Sequence, residues 1–345
     1  MNRTFDRIMK VYYAVLAAIG VPVNLAAIVI LSRGNCGLST CTTYYLVSMS
    51  AADLMVVITE VILIQFQYFY YPLCFLNITP MCSIIDVLAR VAADCSVWFT
   101  VTFTIDRFMA ICCQKLKTKY CTKTTAVVVC STTCSLLFLK NIPFYFVYEP
   151  GKIVDNVPWF CVIKPSIYID PGWLAFDWLD TILTPILPFV LILFLNALTV
   201  RHILLASRVR KELKGQSKSG CLRDSELESR RRSVLLLFTI SGSFILLWLA
   251  YVIFFIYYIF TGIEHSNYVL FWYIFGKVCW MLRTLNCCTN TFIYGVTQSQ
   301  FRKQVKSAVK YPLTAIIRLI NKDIILFLDS QMSICIRQLL HTTLD

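Results

Sequence analysis

Charged residues are scarce in this sequence. Asp, Glu, Lys and Arg make up 15% of the 345 residues, whereas 58% are hydrophobic and the mean hydropathy is +0.69. Soluble globular domains carry about 25% charged residues, so this composition excludes that class. Glycine and proline are also few, with 11 of each, which excludes a fibrous or low-complexity chain. The composition therefore indicates an integral membrane protein.

Groups that perform catalysis are scarce as well. His202, His265 and His341, the three histidines, lie outside the apolar runs, which argues against an intramembrane metal site built on histidines. The sequence contains no carboxylate dyad and no Ser/His/Asp set of the kind that acid–base or nucleophilic catalysis uses. We therefore predict that the protein is not an enzyme.

Long apolar runs recur along the chain, each close to the ~20 residues that cross a bilayer as a helix. The runs do not alternate in polarity as the strands of a membrane β-barrel would. The two halves share no internal repeat, which counts against a transporter built from inverted repeats. The sequence predicts an all-α fold, a bundle of seven transmembrane helices. The predicted spans are residues 11–32, 42–70, 80–112, 125–147, 175–200, 233–261 and 268–296.

The basic residues between the spans predict the orientation. The segments after the third, fifth and seventh spans are rich in Lys and Arg, as cytoplasmic loops are. We therefore expect that end in the cytoplasm, the N-terminus outside the cell and the protein in the plasma membrane. Arg3, Arg7 and Lys10 before the first span oppose this pattern but are outnumbered. The bias, with attraction to anionic lipid, explains the net charge of +13, and we predict no nucleic-acid partner.

Few cysteines and acceptor asparagines map to the predicted outer side. Of sixteen cysteines, Cys74, Cys82 and Cys161 fall there, where disulfides persist; they permit one bridge and leave one cysteine spare. Asn2 in "NRT" and Asn77 in "NIT" are predicted glycosylation acceptors. The first run lacks the exit site of a cleavable signal and predicts a signal anchor.

Ionisable residues inside the predicted spans are functional hypotheses, because each costs a few kcal/mol or more in lipid. Arg90 and Asp94 are one helical turn apart, and we expect them to share a face and neutralise each other. Two interpretations stay open: a structural pair that fixes helix rotation, or a pocket wall for a polar or zwitterionic ligand, with Arg283 opposite. The other ionisable or amide residues of spans two, three and seven include Asp53, Glu60, Asp86, Lys277, Asn286 and Asn290.

An acid and a base stand side by side near the end of the third span. Asp106 and Arg107 follow Cys82 by about 25 residues, or roughly 37 Å of helix. Cys82 and the pair are therefore expected at opposite membrane faces. The pair is therefore expected at the cytoplasmic mouth of the span, beside a basic loop.

The seven spans, "IDRF" at 105–108, "WL" in the sixth span and "NTFIY" in the seventh resemble the rhodopsin-like G-protein-coupled receptors over about residues 8–310. The resemblance implies an extracellular ligand, a heterotrimeric G-protein partner and a cytoplasmic surface helix around Phe301. It implies a disulfide between Cys82 and Cys161. The G-protein switch that it implies comprises Asp106, Arg107, Asn196, Arg230, Asn290 and Tyr294. The polar centre that it implies comprises Asn24, Asp53, Ser96, Asn286 and Asn290, which can bind sodium in many relatives. We predict no cofactor beyond such an ion.

The chain departs from the family pattern at two hinges and at two switch positions. Ala250 and Thr291 replace prolines that support helix bending. Asn196 replaces the tyrosine that meets the activated arginine, and Arg230 stands where some relatives have a restraining glutamate. We expect a weaker restraint on the inactive state and measurable signalling without ligand.

Within the family, the first span and the stretch "TIDRFMAICCQKLKTKY" look most like the orphan peptide-receptor-like group that includes receptors for aromatic amino acids. This implies a small amphipathic ligand, such as an aromatic amino acid or short peptide, and coupling to the Gq class. Ala89 stands where amine receptors have Asp, which argues against a biogenic amine. Residue types predict that Arg90 or Arg283 binds a carboxylate and Asp94 an ammonium. The apolar wall of this pocket would be Trp248, Tyr251 and Phe255, unless these rings face the bilayer.

An alternative function is a channel or transporter with Asp53, Asp94 and Arg283 as an ion path. The rim position of the Asp106–Arg107 pair disfavours it, since a transport path needs charge near the midplane. The predicted organisation is an extracellular N-terminus at 1–10, the bundle at 11–296, the surface helix at 297–310 and a tail at 311–345. The apolar tail is either an amphipathic surface segment or sequence read past a natural splice site.

Overall fold

The computed structural model contains seven long helical segments in the residues that it describes. These residues are 3–34, 36–69, 75–213, 221–261 and 270–307. In chain order the helices are α1 (Arg3–Ser32), α2 (Thr40–Val56), α3 (Ile64–Phe69), α4 (Thr79–Cys112), α5 (Gln114–Tyr120), α6 (Lys123–Asn141), α7 (Pro171–Thr181), α8 (Leu187–Leu213), α9 (Cys221–Thr261) and α10 (Leu270–Thr297). The second span joins α2 to α3, the fifth joins α7 to α8, and α5 is a short connection. Each predicted span overlaps one of these segments, so the predicted seven-helix bundle is confirmed.

Two of the seven spans do not qualify as membrane helices by length and apolar composition alone. Length and apolar composition alone mark five helical stretches that could cross a membrane: Thr4–Ser32, Thr40–Leu63, Lys123–Phe146, Pro171–Arg208 and Arg231–Tyr257. Helices α4 and α10 are the exceptions because they carry the charged and amide side chains. Helix α4 contacts the second, fourth, fifth and sixth spans, which shield its polar residues from lipid.

The first helix begins earlier than predicted. It starts at Arg3 rather than at residue 11, so the predicted boundary of the N-terminal segment falls inside α1. Met9 and Tyr13 are buried in one apolar cluster with Val57 of the second span and Cys287 of α10. This packing extends the helix beyond its most hydrophobic stretch.

A hairpin and a disulfide close one end of the bundle. Strand β1 (Tyr148–Val154) pairs antiparallel with β2 (Val157–Ile163), and the connecting Asp155 and Asn156 both have the positive φ of a type I′ turn. A disulfide joins Cys161 of β2 to Cys82 in the first turns of α4, with Cα atoms 6.5 Å apart. We call this the disulfide end, and the opposite end, which carries Arg107 and α5, the basic end.

The two predicted glycosylation acceptors have different outcomes. Asn77 is only 5% exposed, and its amide nitrogen is buried without a hydrogen-bond partner among the described residues. The structure therefore contradicts a glycan there, because a sugar needs this nitrogen at the surface. Asn2 lies outside the described residues, as do Cys74 and the tail from 311.

A helical segment at residues 299–307 packs against the basic end, at the position of the predicted surface helix. Phe301 is 2% exposed, and its ring meets that of Tyr294 edge-on with centroids 6.1 Å apart. Arg302 donates to the carbonyl oxygens of Gly295 and Val296 at the C-terminus of α10. These contacts satisfy carbonyl groups that a helix end leaves free.

The second span contains a π-helical turn, Val57–Leu63, between α2 and α3. Such a widened turn often marks a functional site. It directs Glu60 into the bundle, where the side chain is buried. On α1, Gly20 permits the close approach of this turn, since a Cβ there would lie 2.8 Å from Val57 Cγ2 and 2.9 Å from Cys288 Sγ.

We expect Gly20→Ala to lower the apparent Tm of the detergent-solubilised protein, because overpacking typically costs about 1–3 kcal/mol. The matched control is Gly242→Ala, where an added Cβ meets no atom within 4 Å. This control should leave the Tm unchanged or raise it, since Ala favours a helix over Gly by roughly 0.5–1 kcal/mol. Equal melting of both variants would contradict the close packing of α1.

Candidate functional site

Polar side chains form separate groups along α4, from the basic end to the disulfide end. At the basic end, Arg107 Nε donates to Asp106 Oδ2 at 3.0 Å, and its Nη2 atom contacts the same carboxylate. Arg107 Nη1 donates to Ser233 Oγ of α9 at 3.3 Å, and Cys41 Sγ donates to Asp106 Oδ1 at 3.1 Å. Both members of the pair are nearly inaccessible to solvent. The pair therefore links α4 to α2 and to α9.

A second thiol lies beside this pair. Cys121, in the turn after α5, points its Sγ atom at the Asp106 carbonyl oxygen, 3.9 Å away. Burial and the negative charge of Asp106 raise the pKa of the Cys121 thiol to about 11, so this thiol is protonated at neutral pH.

Among the described residues, no hydrogen bond joins Arg107 to Asn196, Asn290 or Tyr294 in this conformation. The Asn196 side-chain oxygen and the Tyr294 hydroxyl are buried and have no hydrogen-bond partner among the described residues. The side chain of Arg230 lies outside the described part of the chain. Ser233, which binds Arg107, was not identified from the sequence. Its position one helical turn after Arg230, a predicted switch residue, could have indicated it.

A polar core lies in the middle of the bundle. Asp53 Oδ1 accepts a hydrogen bond from Ser96 Oγ at 2.5 Å, and Asp53 Oδ2 accepts one from Asn290 Nδ2 at 2.9 Å. The carboxylate thus joins the second span to α4 and α10. Asn286 is also buried, and its side-chain oxygen has no partner among the described residues.

Asn24 belongs to the neighbouring contact between α1 and α10 rather than to Asp53 directly. Its Nδ2 atom donates to the carbonyl oxygens of Gly20 and Cys287 at 2.9 and 2.8 Å. Its Oδ1 atom accepts from Thr291 Oγ1 at 3.3 Å. The threonine that replaces the usual proline of span seven therefore supplies a contact between helices.

The polar core contains ligands for a hard cation of low charge. A carboxylate, a hydroxyl and an amide oxygen are the donors that such cations prefer. No cluster of three or more His, Cys, Asp or Glu side chains suited to a metal ion occurs in the described ranges. Asp53 is the single carboxylate in this group of hydrogen bonds.

Toward the disulfide end, Arg283 of α10 forms an ion pair with Glu60 of the π-helical turn. Arg283 is 9% exposed and Glu60 is 4% exposed. The Arg283 guanidinium carbon lies 4.2, 5.3 and 5.5 Å from the ring centroids of Trp280, Tyr251 and Trp248. Cation–π contact stabilises a charge held in this way.

Four residues of the predicted pocket come together here. Phe255 stacks on Tyr251, with ring centroids 5.9 Å apart, and thereby extends the group of Trp248, Tyr251 and Arg283. Glu60 was recognised as a buried carboxylate, but its pairing with Arg283 was missed, as was Trp280. The cavity beside the ion pair has a volume of about 10 Å³, which holds roughly one water molecule.

The predicted Arg90–Asp94 pair is wrong. Arg90 Nε donates to Asp86 Oδ2 at 2.9 Å, one turn earlier on α4, because helical side chains tilt toward the N-terminus. Asp94 instead accepts from Asn141 Nδ2 at 2.7 Å and forms an ion pair with Lys140 Nζ at 2.7 Å.

Arg90 and Asp94 belong to a network between the third, fourth and fifth spans. Lys140 of α6 also binds Asp180 of α7, and Asp180 lies 3.8 Å from Arg90 Nη1. The guanidinium carbon of Arg90 lies 3.8 Å from the Phe144 ring centroid. This network is distinct from the Glu60–Arg283 pair. Lys140 and Asp180 were missed, although both are charged residues inside predicted spans.

These features define a multi-pass membrane protein of the helical-bundle class. The family described as "7 transmembrane receptor (rhodopsin family)" matches residues 23–294, well over half of the chain. The chain therefore belongs to the rhodopsin family of seven-transmembrane receptors. The resemblance found from its motifs is confirmed, and members of this family are receptors rather than enzymes.

Similar proteins include receptors of several kinds. An FMRFamide receptor of Drosophila melanogaster is 24% identical over 323 residues, which cover 88% of this chain and 54% of the receptor. "Probable G-protein coupled receptor 142" of Mus musculus is 23% identical over 303 residues, covering 87% and 72%. "Atypical chemokine receptor 3" of Rattus norvegicus is 23% identical over 283 residues, covering 79% and 71%. The chain spans about half the length of the FMRFamide receptor.

Proposed function

We propose that this protein is a plasma-membrane receptor that binds an extracellular ligand at its disulfide end and activates a heterotrimeric G protein at its basic end. The bond from Arg107 to Ser233 carries this proposal, since it ties α4 to α9 at the end where a G protein would enter. The N-terminus is outside the cell in this orientation. The lysines of α5 are exposed, and so are the arginines of α9 at positions 231 and 232. Both sets support a cytoplasmic basic end.

Activation is a shift between two conformations of the bundle. In the shut conformation, Asp106 and Ser233 hold Arg107 between α4 and α9. Opening separates α9 from α4, breaks the bond to Ser233 and releases the guanidinium toward the G protein. A serine restrains Arg107 less than a carboxylate would, because the bond joins a charged group to a neutral one.

We expect Ser233→Ala to raise signalling without ligand several-fold, because loss of about 1 kcal/mol shifts a two-state equilibrium roughly fivefold. The measurement is the basal second-messenger level, normalised to surface expression, against mock-transfected cells. Ser243→Ala is the matched control, since Ser243 Oγ bonds the Ile240 carbonyl oxygen within α9. Basal levels equal to mock cells for both the wild type and Ser233→Ala would refute the light restraint.

The ligand that we propose is a small amphipathic molecule, an aromatic amino acid or a short peptide, with coupling to the Gq class. The aromatic side chains around Arg283 support an aromatic group with a polar end. Relatives named as an FMRFamide receptor and as a G-protein-coupled receptor are consistent with a peptide or small-molecule ligand.

A panel of amino acids and short peptides tests the ligand class. Cells expressing the receptor should show a calcium response to an aromatic member of the panel, without a fall or rise in cAMP, as Gq coupling requires. Arg107→Ala should abolish the response at equal surface expression. A cAMP response alone would overturn the Gq assignment, and a response to aliphatic members alone would overturn the aromatic ligand.

We also propose that the polar core binds a sodium ion through Asp53, with Ser96 and Asn286 as neutral donors. Support comes from the buried carboxylate and from the Asn286 oxygen, which has no partner among the described residues. Replacing choline by sodium should raise the apparent Tm of the purified receptor, and Asp53→Asn should remove that increase. Asp155→Asn, in the exposed hairpin turn, is the matched control and should keep it. A sodium effect unchanged by Asp53→Asn would contradict this site.

The alternative of a channel or transporter finds less support. Asp53, Asp94 and Arg283, which would form the ion path, belong to three separate hydrogen-bonded groups. Each of these charges already has a partner side chain, so the three do not offer successive sites to a moving ion.

A further inference from the structure

The Glu60–Arg283 pair leaves hydrogen-bonding capacity unused. Arg283 Nη2 contacts Glu60, but Arg283 Nε is buried and has no partner among the described residues. The same holds for Trp248 Nε1 and for Asn286 Oδ1. All three residues line the same small cavity, together with Glu60. Two hydrogen-bond donors and one acceptor without partners therefore lie around the ion pair, although the charges of Glu60 and Arg283 already neutralise each other.

The cavity is too small for a ligand beside the pair. Its volume of about 10 Å³ accommodates roughly one water, whereas an aromatic ligand needs a few hundred Å³. A ligand that reaches Arg283 must therefore separate Arg283 from Glu60 and take the space between them.

The cost of an unpaired buried charge decides which ligand can do this. An anion that displaced Glu60 would leave that carboxylate buried and unpaired, and a cation that displaced Arg283 would leave the guanidinium unpaired. Either outcome is strongly unfavourable. A zwitterion replaces both lost contacts at once, because its carboxylate binds Arg283 and its ammonium binds Glu60. Asp94 is not free for the ammonium, since Lys140 and Asn141 already occupy it.

We propose that an aromatic α-amino acid binds by insertion between Glu60 and Arg283, with its ammonium on Glu60, its carboxylate on Arg283 and its ring among Trp248, Tyr251 and Trp280. This inference rests on the proposed ligand-binding function and names the residues that select the ligand. Arg283 Nε and Trp248 Nε1 supply further donors to the carboxylate. The guanidinium is suited to this role because its donors form a planar fork.

Three probes that share one ring but differ in charge test the insertion. L-tryptophan is a zwitterion, N-acetyl-L-tryptophan is an anion and L-tryptophanamide is a cation. Binding is measured as the ligand-dependent shift in apparent Tm of the purified full-length receptor in detergent, without a G protein. The wild type should bind L-tryptophan at least about tenfold more tightly than either other probe, because each of them lacks one charged hydrogen bond.

Single neutral substitutions should then change the preference in opposite directions. In Glu60→Gln the ammonium loses its partner, so N-acetyl-L-tryptophan should bind at least as tightly as L-tryptophan. In Arg283→Gln the carboxylate loses its partner, so L-tryptophanamide should bind at least as tightly as L-tryptophan. The same order of the three probes in the wild type and in both variants would overturn the proposal, as would absence of L-tryptophan binding to the wild type.

A charge-swapped variant keeps the test decisive if a single substitution prevents folding. Glu60→Arg with Arg283→Glu retains one charge of each sign in the bundle and should retain the preference for the zwitterion. A swapped variant that folds but binds the anion or the cation best would overturn the proposal. A receptor that binds the three probes as expected but activates no G protein would contradict the proposed signalling and leave this proposal standing. A receptor that signals in response to another ligand but does not bind L-tryptophan would overturn this proposal and leave the signalling standing.

Discussion

Lipid supplies no hydrogen bonds, so polar side chains buried in the spans must find partners inside the bundle. Helix α4, which carries five charged residues, accordingly contacts four other spans. Its charged residues reach α2, α6, α7 and α9 through Asp106, Asp94, Arg90 and Arg107, respectively. The arrangement of the remaining helices follows from satisfying these groups.

The same constraint sets the limits of prediction from the sequence. Apolar runs predict each span because hydropathy is a property of a single segment. Apolar composition alone does not identify α4 and α10 as spans, but their sequence motifs do. Pairing partners are a different matter, as Arg90 shows. Asp86 and Asp94 both lie four residues from it along α4, and the partner that Asp94 takes instead, Lys140, lies on the separate helix α6.

Local irregularities were the least predictable features. The stretch "VITEVIL" carries no Pro or Gly that would indicate the π-helical turn at Val57–Leu63. That turn nevertheless determines where Glu60 points and hence its pairing with Arg283. Asn77 shows a similar limit, because its acceptor motif is intact while the fold buries its side chain. Both outcomes depend on packing between segments distant in sequence.

Departures from the family pattern also acquire a physical meaning from the structure. Thr291 keeps the backbone hydrogen bond that a proline would remove, and its hydroxyl binds Asn24 on α1. Span seven is therefore tied to span one where relatives have a hinge. Less bending is then available in α10, so the proposed opening would rely more heavily on movement of α9.

Helix α9 is suited to that role because it contacts both proposed sites. Trp248 lies against the Arg283 guanidinium, and Ser233 binds Arg107 about 15 residues earlier, or roughly 22 Å along the helix. At the basic end, α9 contacts α4 through a single hydrogen bond to Arg107, whereas at the disulfide end its Trp248 ring lies against Arg283. In the proposed activation, α9 therefore connects the proposed ligand site to the bond that holds Arg107.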